Sequence, residues 1–348
     1  MRKTILALGL LLGPGLMIDR TLWAQAEPFY KGKSVRFIVA FSPGGAYDTW
    51  ARLLAKYLDK YIPGNPTFIV QNMPGAGSVV AANYLYNVAK PDGLTLGTIS
   101  SALYFEQLIG RKEVNFDWGK FSWIGTPEQT SEMLYIRSDT PFKTVEDLRR
   151  AAEPPKCGSV GIGSTDHYFP KLLEDAVGAK FSIVVGYQGA ADIDLAVEKG
   201  EMLCRAGTLS SFFGREPGRT WIKQGFVRVL VQGGKNRDPR APDAPTIYEL
   251  MDKYKTPEAV KRLAAVLLSP GEFGRPVIGP PGIPADRTRI LRDGFARTLK
   301  DPELAAEAKK RGWDLSSTTG DELDRLAKEI VAQPPAVIER MQKLFTKN

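Results

Sequence analysis

The sequence predicts an α/β fold of two lobes, each a mostly parallel sheet flanked by helices, with two crossings and a cleft between them. Three observations predict it. Short apolar strands alternate with helical segments through two separate stretches of chain. A turn rich in glycine or small hydroxyl residues follows most of those strands. A proline-rich connection, NRDPRAPDAPTIYEL, then follows the second stretch and suits a passage between domains. At 348 residues there is chain enough for two cores, and 43% hydrophobic with 25% charged residues is ordinary for a globular protein.

The elements follow in order. KSVRFIVAF is a strand, and SPGG turns it into a helix over Asp48 to Tyr61. There Trp50, Leu53, Leu54, Tyr57, Leu58 and Tyr61 recur at helical spacing and place one stripe against a sheet. TFIVQN is the second strand, MPGAGS its turn, and Val79 to Val88 a helix with Ser78 as N-cap. LTLGTIS is the third strand. FSWIGTP to EMLYIRSDT passes into the second stretch, where Thr144 caps the helix TVEDLRRAAE and Glu146 and Asp147 occupy its first turn.

Then come CGSVGIGST, a helix over Phe169 to Val177, FSIVVGYQG, a helix over Asp192 to Lys199, MLCRAGTLS and the strand FVRVLVQGG. The remainder reads as helices over Pro257 to Leu268, Ala285 to Leu299, Pro302 to Arg311 and Asp321 to Lys347, expected to pack back on the first lobe. The lobes are expected at 27–125 with 236–348, and at 126–235.

The first 26 residues read as a signal peptide: Arg2 and Lys3, an apolar run, then AQA with small residues where a signal peptidase cuts, after Ala26. Removing Arg2, Lys3 and Arg20 with Asp19 lowers the formal charge from +8 to +6. The basic residues are scattered and no nucleic-acid module is present, so the charge is read as a surface that steers small anions. In an oxidising compartment Cys157 and Cys204, each near the start of a short strand, form a disulfide or remain as two buried thiols.

Ligands of open parallel sheets sit beyond the carboxyl ends of the strands. The turns at those places are SPGGAYD, MPGAGS and SSALYF in the first stretch, and GIGSTDHYF, GYQGAAD and GTLSSFF in the second. Glycine lets backbone approach a ligand, and amides at a helix start hold an anion without a charged side chain. Asp48 is read as a cap for the helix it opens. Catalytic signatures are missing. There is no GxxxxGK[ST], no GxSxG elbow and no CxxC, and the single histidine, His167, leaves no multi-histidine metal site. No cofactor is expected, and His167 is read as a first-turn helix residue without a catalytic task.

FIVAFSPGGAYDTWARLLAKYL, IVQNMPGAGSVVAANYLYNVAKPDGLTLGT, GSVGIGST, VVGYQGAADIDLAVEKGE and the R-x-P-x-A-P-T stretch around Arg240 to Thr246 together resemble the Bug family. These are the periplasmic solute-binding proteins of tripartite tricarboxylate transporters. The resemblance runs from about Phe29 to the C-terminal helix. It implies a type II periplasmic binding protein fold that closes on a carboxylated solute through backbone amides and small hydroxyls. By position it implies Ser42, Gly44, Gly45, Ala46 and Tyr47 in the first loop, with Ser100 and Ser101 after the third strand. In the second lobe it implies Gly163, Ser164, Thr165, Tyr187, Gln188, Gly189, Ala190 and Asp192. The partners implied are a small carboxylate and the transporter's membrane subunits; the alternative is a ligand-sensing module for a two-component histidine kinase. Three departures stand out. The second turn reads NMPGAGS where the family has Arg before Pro and a double glycine, Met251 to Arg275 is a longer connection, expected as an added helix on the first lobe, and Asp166 places an acid in an anion loop.

Overall fold

The computed structural model describes residues 27–41, 43–161, 164–187 and 189–346. The signal segment, Ser42, Gly163 and Gln188 lie outside the described residues. The chain opens with β1 (Ser34–Val39), α1 (Ala46–Leu58), β2 (Thr67–Asn72), α2 (Val79–Asn87), β3 (Thr95–Thr98), α3 (Tyr104–Leu108) and β4 (Ser122–Thr126). It continues through β5 (Glu132–Arg137), α4 (Val145–Arg150), β6 (Lys156–Ser159), α5 (Thr165–Val177), β7 (Ser182–Val185) and α6 (Ala190–Glu198). Next come β8 (Cys204–Thr208), α7 (Leu209–Phe213), α8 (Gly218–Lys223) and β9 (Val227–Gln232). Then follow α9 (Ile247–Lys253), α10 (Glu258–Leu268), α11 (Pro270–Phe273) and β10 (Val277–Gly279). The chain ends with α12 (Ala285–Thr298), α13 (Pro302–Lys310), β11 (Thr318–Thr319), α14 (Gly320–Val331) and α15 (Pro335–Thr346).

The strands form two sheets, ordered β11-β4-β10-β3-β1-β2 and β7-β6-β8-β5-β9. Both are mixed, not mostly parallel. β1 pairs in parallel with β2 and β3, and β6 with β7 and β8, as the β-α-β units require. β5 and β10 run against their neighbours. The reason is where they come from. A strand arriving from the other lobe enters at the cleft, where the parallel strands end, so it must run away from it.

The helix starts differ from expectation in one direction. α1, α5 and α6 begin two to four residues earlier than the apolar periodicity predicts, because the turns before them are tight and their first residues are small or polar. The long C-terminal helix is broken into α14 and α15, at Pro334 and Pro335. α9 emerges from the proline-rich connection, started by a capping box in which Thr246 and Glu249 serve each other's backbone amides.

α12 and α14 pack on β4, and α12 and α13 on α1. α9, α10 and α15 instead pack against α5. The Met251 to Arg275 insertion therefore seats α10 on a helix of the second sheet, where Val260, Leu263, Ala264 and Leu267 bury a full stripe. One apolar cluster runs from Ile38 and Leu85 through Phe105 to Leu134, Leu172 and Met341, joining both sheets. Phe105 of α3 stands at its centre, with ring centroids 5.4 Å from Tyr168 of α5 and 5.8 Å from Phe345 of α15. Cys157 of β6 and Cys204 of β8 are register partners and are bridged by a disulfide.

Candidate functional site

A cavity of about 640 Å³ lies between the sheets, at the carboxyl ends of β1, β2, β3, β6 and β8. The first sheet contributes Phe41, Tyr47, Ala76, Gly77 and Ser100 to Leu103. The second contributes Val160, Gly161, Ser164 to Asp166, Tyr168, Ala190, Thr208 and Ser211. The crossings contribute Thr130, Glu132, Pro270, Gly271 and Arg275.

Of the residues predicted for the site, Tyr47, Ser100, Ser101, Ser164, Thr165 and Ala190 are brought together on this one cavity. Gly44, Gly45, Ala46, Tyr187, Gly189 and Asp192 are not among its lining residues, and each that bonds locally shows why. The Gly44 amide donates to Asp48 Oδ2 at 2.9 Å. The Gly45 and Ala46 carbonyls accept from the Thr49 hydroxyl. The Tyr187 amide donates to the Ser159 carbonyl, and its ring lies beside Gly158, where a Cβ would meet Cε2 at 3.3 Å. The Gly189 carbonyl accepts from the Ile193 amide.

The loops are held from below. Asp48, buried at 2% exposure, accepts from the Gly44 amide, from Arg52 and from Asn72, whose amide group also donates to the Phe41 carbonyl. Burial alone would raise its pKa, but the Arg52, Gly44 and Asn72 hydrogen bonds outweigh it and hold it below the usual carboxylate range. It is thus a loop clasp rather than a cap: the N-cap of α1 is Gly45, and no side chain caps the helix. Asp166 does the same in the other lobe. Its Oδ1 accepts from the Val160 amide at 2.9 Å and from the Ser164 hydroxyl, and its Oδ2 lies 3.9 Å from Arg205. Ser78 holds the N-cap position of α2, as expected, but its hydroxyl accepts the Ser100 amide at 2.9 Å and ties the second loop to the third.

Most helices opening on the cavity leave their first amides free of side-chain caps; the exception is α7, where the Thr208 hydroxyl accepts the Ser211 amide. α1, α2, α5 and α6 have none. α4, α9 and α14, none of whose residues line the cavity, each carry a capping box. Uncapped amides beside a polar hollow are donors waiting for an acceptor.

Tyr47 is anchored on three sides. Its ring stacks on Phe41 at 4.4 Å, the Arg275 guanidinium lies 4.6 Å from its centroid, and its hydroxyl accepts the Ser101 amide at 3.0 Å. Basic side chains thus do reach the cavity, which reading its turns alone missed, but each has an acid beside it. Arg275 pairs with Glu128 at 3.4 Å, Arg205 with Asp194 at 2.8 Å, and Arg111 with Glu106 at 3.0 Å. Burial pushes the Glu128 carboxyl up while Arg275 opposes it. Burial also works against the Arg205 charge, but Tyr135, Asp194 and Asp166 more than compensate.

Glu132 is different. It is 2% exposed, accepts from the Tyr168 hydroxyl at 2.9 Å, and is pushed by burial up to about 7. Arg205 and Glu132 were missed because they sit within strands, and Arg275 because it lies between Gly274 and Pro276 in the late, mostly helical part of the chain. An acid opening the wholly apolar strand MLYI was the available signal for Glu132. His167 is buried in the first turn of α5 and is not among the lining residues, with its pKa lowered by burial and then by Lys171.

Two lobes sharing a polar hollow at their strand ends define, by fold, a two-lobed solute-binding protein. The profile of the tripartite tricarboxylate transporter family receptor, TctC, matches residues 51–343, and the chain belongs to that family. Its members are periplasmic solute receptors, not enzymes. The chain is 28% identical over 323 residues to a Cupriavidus necator protein described as the UPF0065 protein in the gbd 5' region, covering 91% of this chain and 90% of that one. Two solved structures from Rhodopseudomonas palustris share the fold. MatC, solved with malate, has a TM-score of 0.63 at 20% identity, covering 90% of this chain and 99% of its own. A second protein, solved with adipate, has a TM-score of 0.65 at 20% identity, covering 90% and 97%. Among the described residues no helix is long and apolar enough to cross a membrane, and no His, Cys, Asp and Glu cluster could hold a metal ion.

Proposed function

We propose that this receptor captures a small organic carboxylate in the interlobe cavity and delivers it to the membrane subunits of a tripartite tricarboxylate-type transporter. One observation carries the reading. The loops after β1 and β3 in one lobe and after β6 and β8 in the other line the same hollow, with the uncapped starts of α5 and α6 and small hydroxyls facing it. That arrangement suits an anion held mostly by main-chain donors, because those donors are fixed before the ligand arrives. The malate and adipate held by the two Rhodopseudomonas proteins point to the same ligand class.

Tyr47, Ser100, Ser101, Ser164, Thr165 and Ala190 are the proposed contacts, joined by Ser42, Gly163 and Gln188 at loop positions outside the described residues. The same reading takes the lobes as 27–125 with 236–348 and 126–235, with α9, α10 and α15 bracing the second from the first. It takes export to end in cleavage after Ala26, so N-terminal sequencing of the mature protein should begin at Glu27. Titrating the mature protein with di-, tri- and aromatic carboxylates, by thermal shift and calorimetry, tests the central point. A stabilising, saturable response to at least one supports it, and a flat response across the panel overturns it. Delivery predicts that deleting the receptor abolishes uptake of that solute by cells with intact membrane subunits.

A further inference from the structure

Charged groups that line the cavity are balanced with one exception. Glu106 faces Arg111, Asp166 faces Arg205, and Arg275 faces Glu128 just behind the wall. Among the described residues Glu132 has no such partner. It opens β5, where the first crossing enters the second lobe, and Gly233 of the second crossing lies directly over it. A Cβ on Gly233 would stand 2.7 Å from Glu132 Oε2, so the glycine is what gives this carboxyl room between the two crossings.

Among the described residues the groups around it supply no positive charge. From α5 comes the Tyr168 hydroxyl, which donates to Oε1; Tyr104 of α3 and Tyr248 of α9 are neutral, and Glu272 of α11 adds a like charge. Lys235, after β9, shares the smaller cavity behind the crossings but reaches Glu272, at 3.8 Å. A carboxylate at this place would repel an anion arriving in the hollow it lines. A carboxylic acid there would donate to it.

We propose that Glu132 is a proton site of the loaded receptor, which binds an anionic solute together with one proton and donates a hydrogen bond from the neutral carboxyl. The inference rests on the carboxylate-receptor reading. The burial of Glu132 favours the same state. Burial already holds this acid near neutrality, so little free energy is needed to keep the proton when an anion enters. The Tyr168 hydroxyl keeps Oε1 as an acceptor and leaves the acidic hydrogen for the other oxygen.

Calorimetry with malate or adipate, whichever titrates, in buffers of different ionisation enthalpy measures the proton directly. About one proton per solute should be taken up at pH 8 and close to none at pH 5.5, with affinity falling about tenfold per pH unit above the Glu132 pKa. Glu132→Gln, which keeps a neutral donor of the same shape, should bind at pH 8.5 within a few-fold of its affinity at pH 6 and take up no proton. Circular dichroism confirms that the variant is folded. Solute binding by wild type with no proton uptake at pH 8 overturns the inference while leaving the receptor reading intact, as does an unchanged pH slope in Glu132→Gln. A flat titration of wild type across the carboxylate panel overturns both.

Discussion

Asp48 and Asp166 occupy matching places on opposite walls of the cavity. Each sits in the first turn of a helix, turns back beneath the loop that precedes it, and accepts a loop amide at 2.9 Å, from Gly44 in one lobe and Val160 in the other. Each also has an arginine, Arg52 or Arg205. The two glycine-rich loops are therefore rigid for the same reason. Each clasp takes an amide that precedes its helix, Gly44 late in one loop and Val160 at the start of the other, and caps no amide of the helix itself.

Removing one clasp should loosen one wall. Asp48→Ala leaves the Gly44 amide and the Asn72 side chain without their acceptor, while the half-exposed Arg52 can return to water. Unfolding free energy should fall by about 1–3 kcal/mol, and solute affinity should fall with it. Asp48→Asn, which keeps an acceptor oxygen, should recover part of both. Denaturant melts and titrations on the three proteins check this. Equal affinity in Asp48→Ala would show that the first loop does not depend on its clasp.

Tyr47 tests binding with a smaller loss of stability. Its ring is fixed by Phe41 and Arg275, contacts that phenylalanine would retain, whereas its hydroxyl alone receives the Ser101 amide. Tyr47→Phe leaves the Ser101 amide without its acceptor, so it should lower unfolding free energy by about 1 kcal/mol and weaken solute binding about two- to tenfold. A large stability loss with unchanged affinity would make Tyr47 a packing residue only.

Much of this was legible in the sequence, and the reasons differ by element. Alternating strands, periodic helices and glycine turns locate β1 to β3, β6 to β8 and the loops between, because those signals are local. The loops that carry Tyr47, Ser100, Ser101, Ser164 and Thr165 follow from position at strand ends, and the individual residues from the family resemblance. The reversed strands β5 and β10 did not show, since direction is set by a crossing and not by any local pattern. Nor did the seat of α10, because an amphipathic stripe says that a face is buried and not which lobe buries it. Arg205, Arg275 and Glu132 reach the cavity only when strands far apart in sequence are placed side by side. Asp166 looked anomalous in an anion loop until its partners were visible.

Glu132 and His167 should shape stability in opposite senses. Burial raises Glu132 from 4.5 to about 7, so between those values the folded protein holds a proton that the unfolded chain has released. Its contribution is complete below pH 4.5 and is lost as pH rises through about 7. Relative to Glu132→Gln, wild type should lose up to a few kcal/mol across that window. His167 is lowered from 6.5 by burial, so its contribution is present above 6.5 and lost as pH falls through its folded value. Relative to His167→Gln, wild type should weaken on the acid side only. Denaturant melts at several pH values resolve the two, and parallel curves for wild type and Glu132→Gln would show that the carboxyl is solvated.

The bridge between Cys157 and Cys204 joins neighbouring strands of one sheet across 47 residues of sequence. In the chain-entropy account a loop of that size restrains the unfolded chain by about 4 kcal/mol, and measured values cluster near 2–4 kcal/mol. Neither cysteine lines the cavity, and the strands are held in register by their own hydrogen bonds. The double variant Cys157→Ala with Cys204→Ala should therefore lose about 2–4 kcal/mol of unfolding free energy while its solute affinity changes less than about threefold. Reductant should reproduce the stability loss in wild type and have no effect on the double variant. If affinity instead collapses while the melt is unmoved, the bridge acts on the loops after β6 and β8 and not on the unfolded chain.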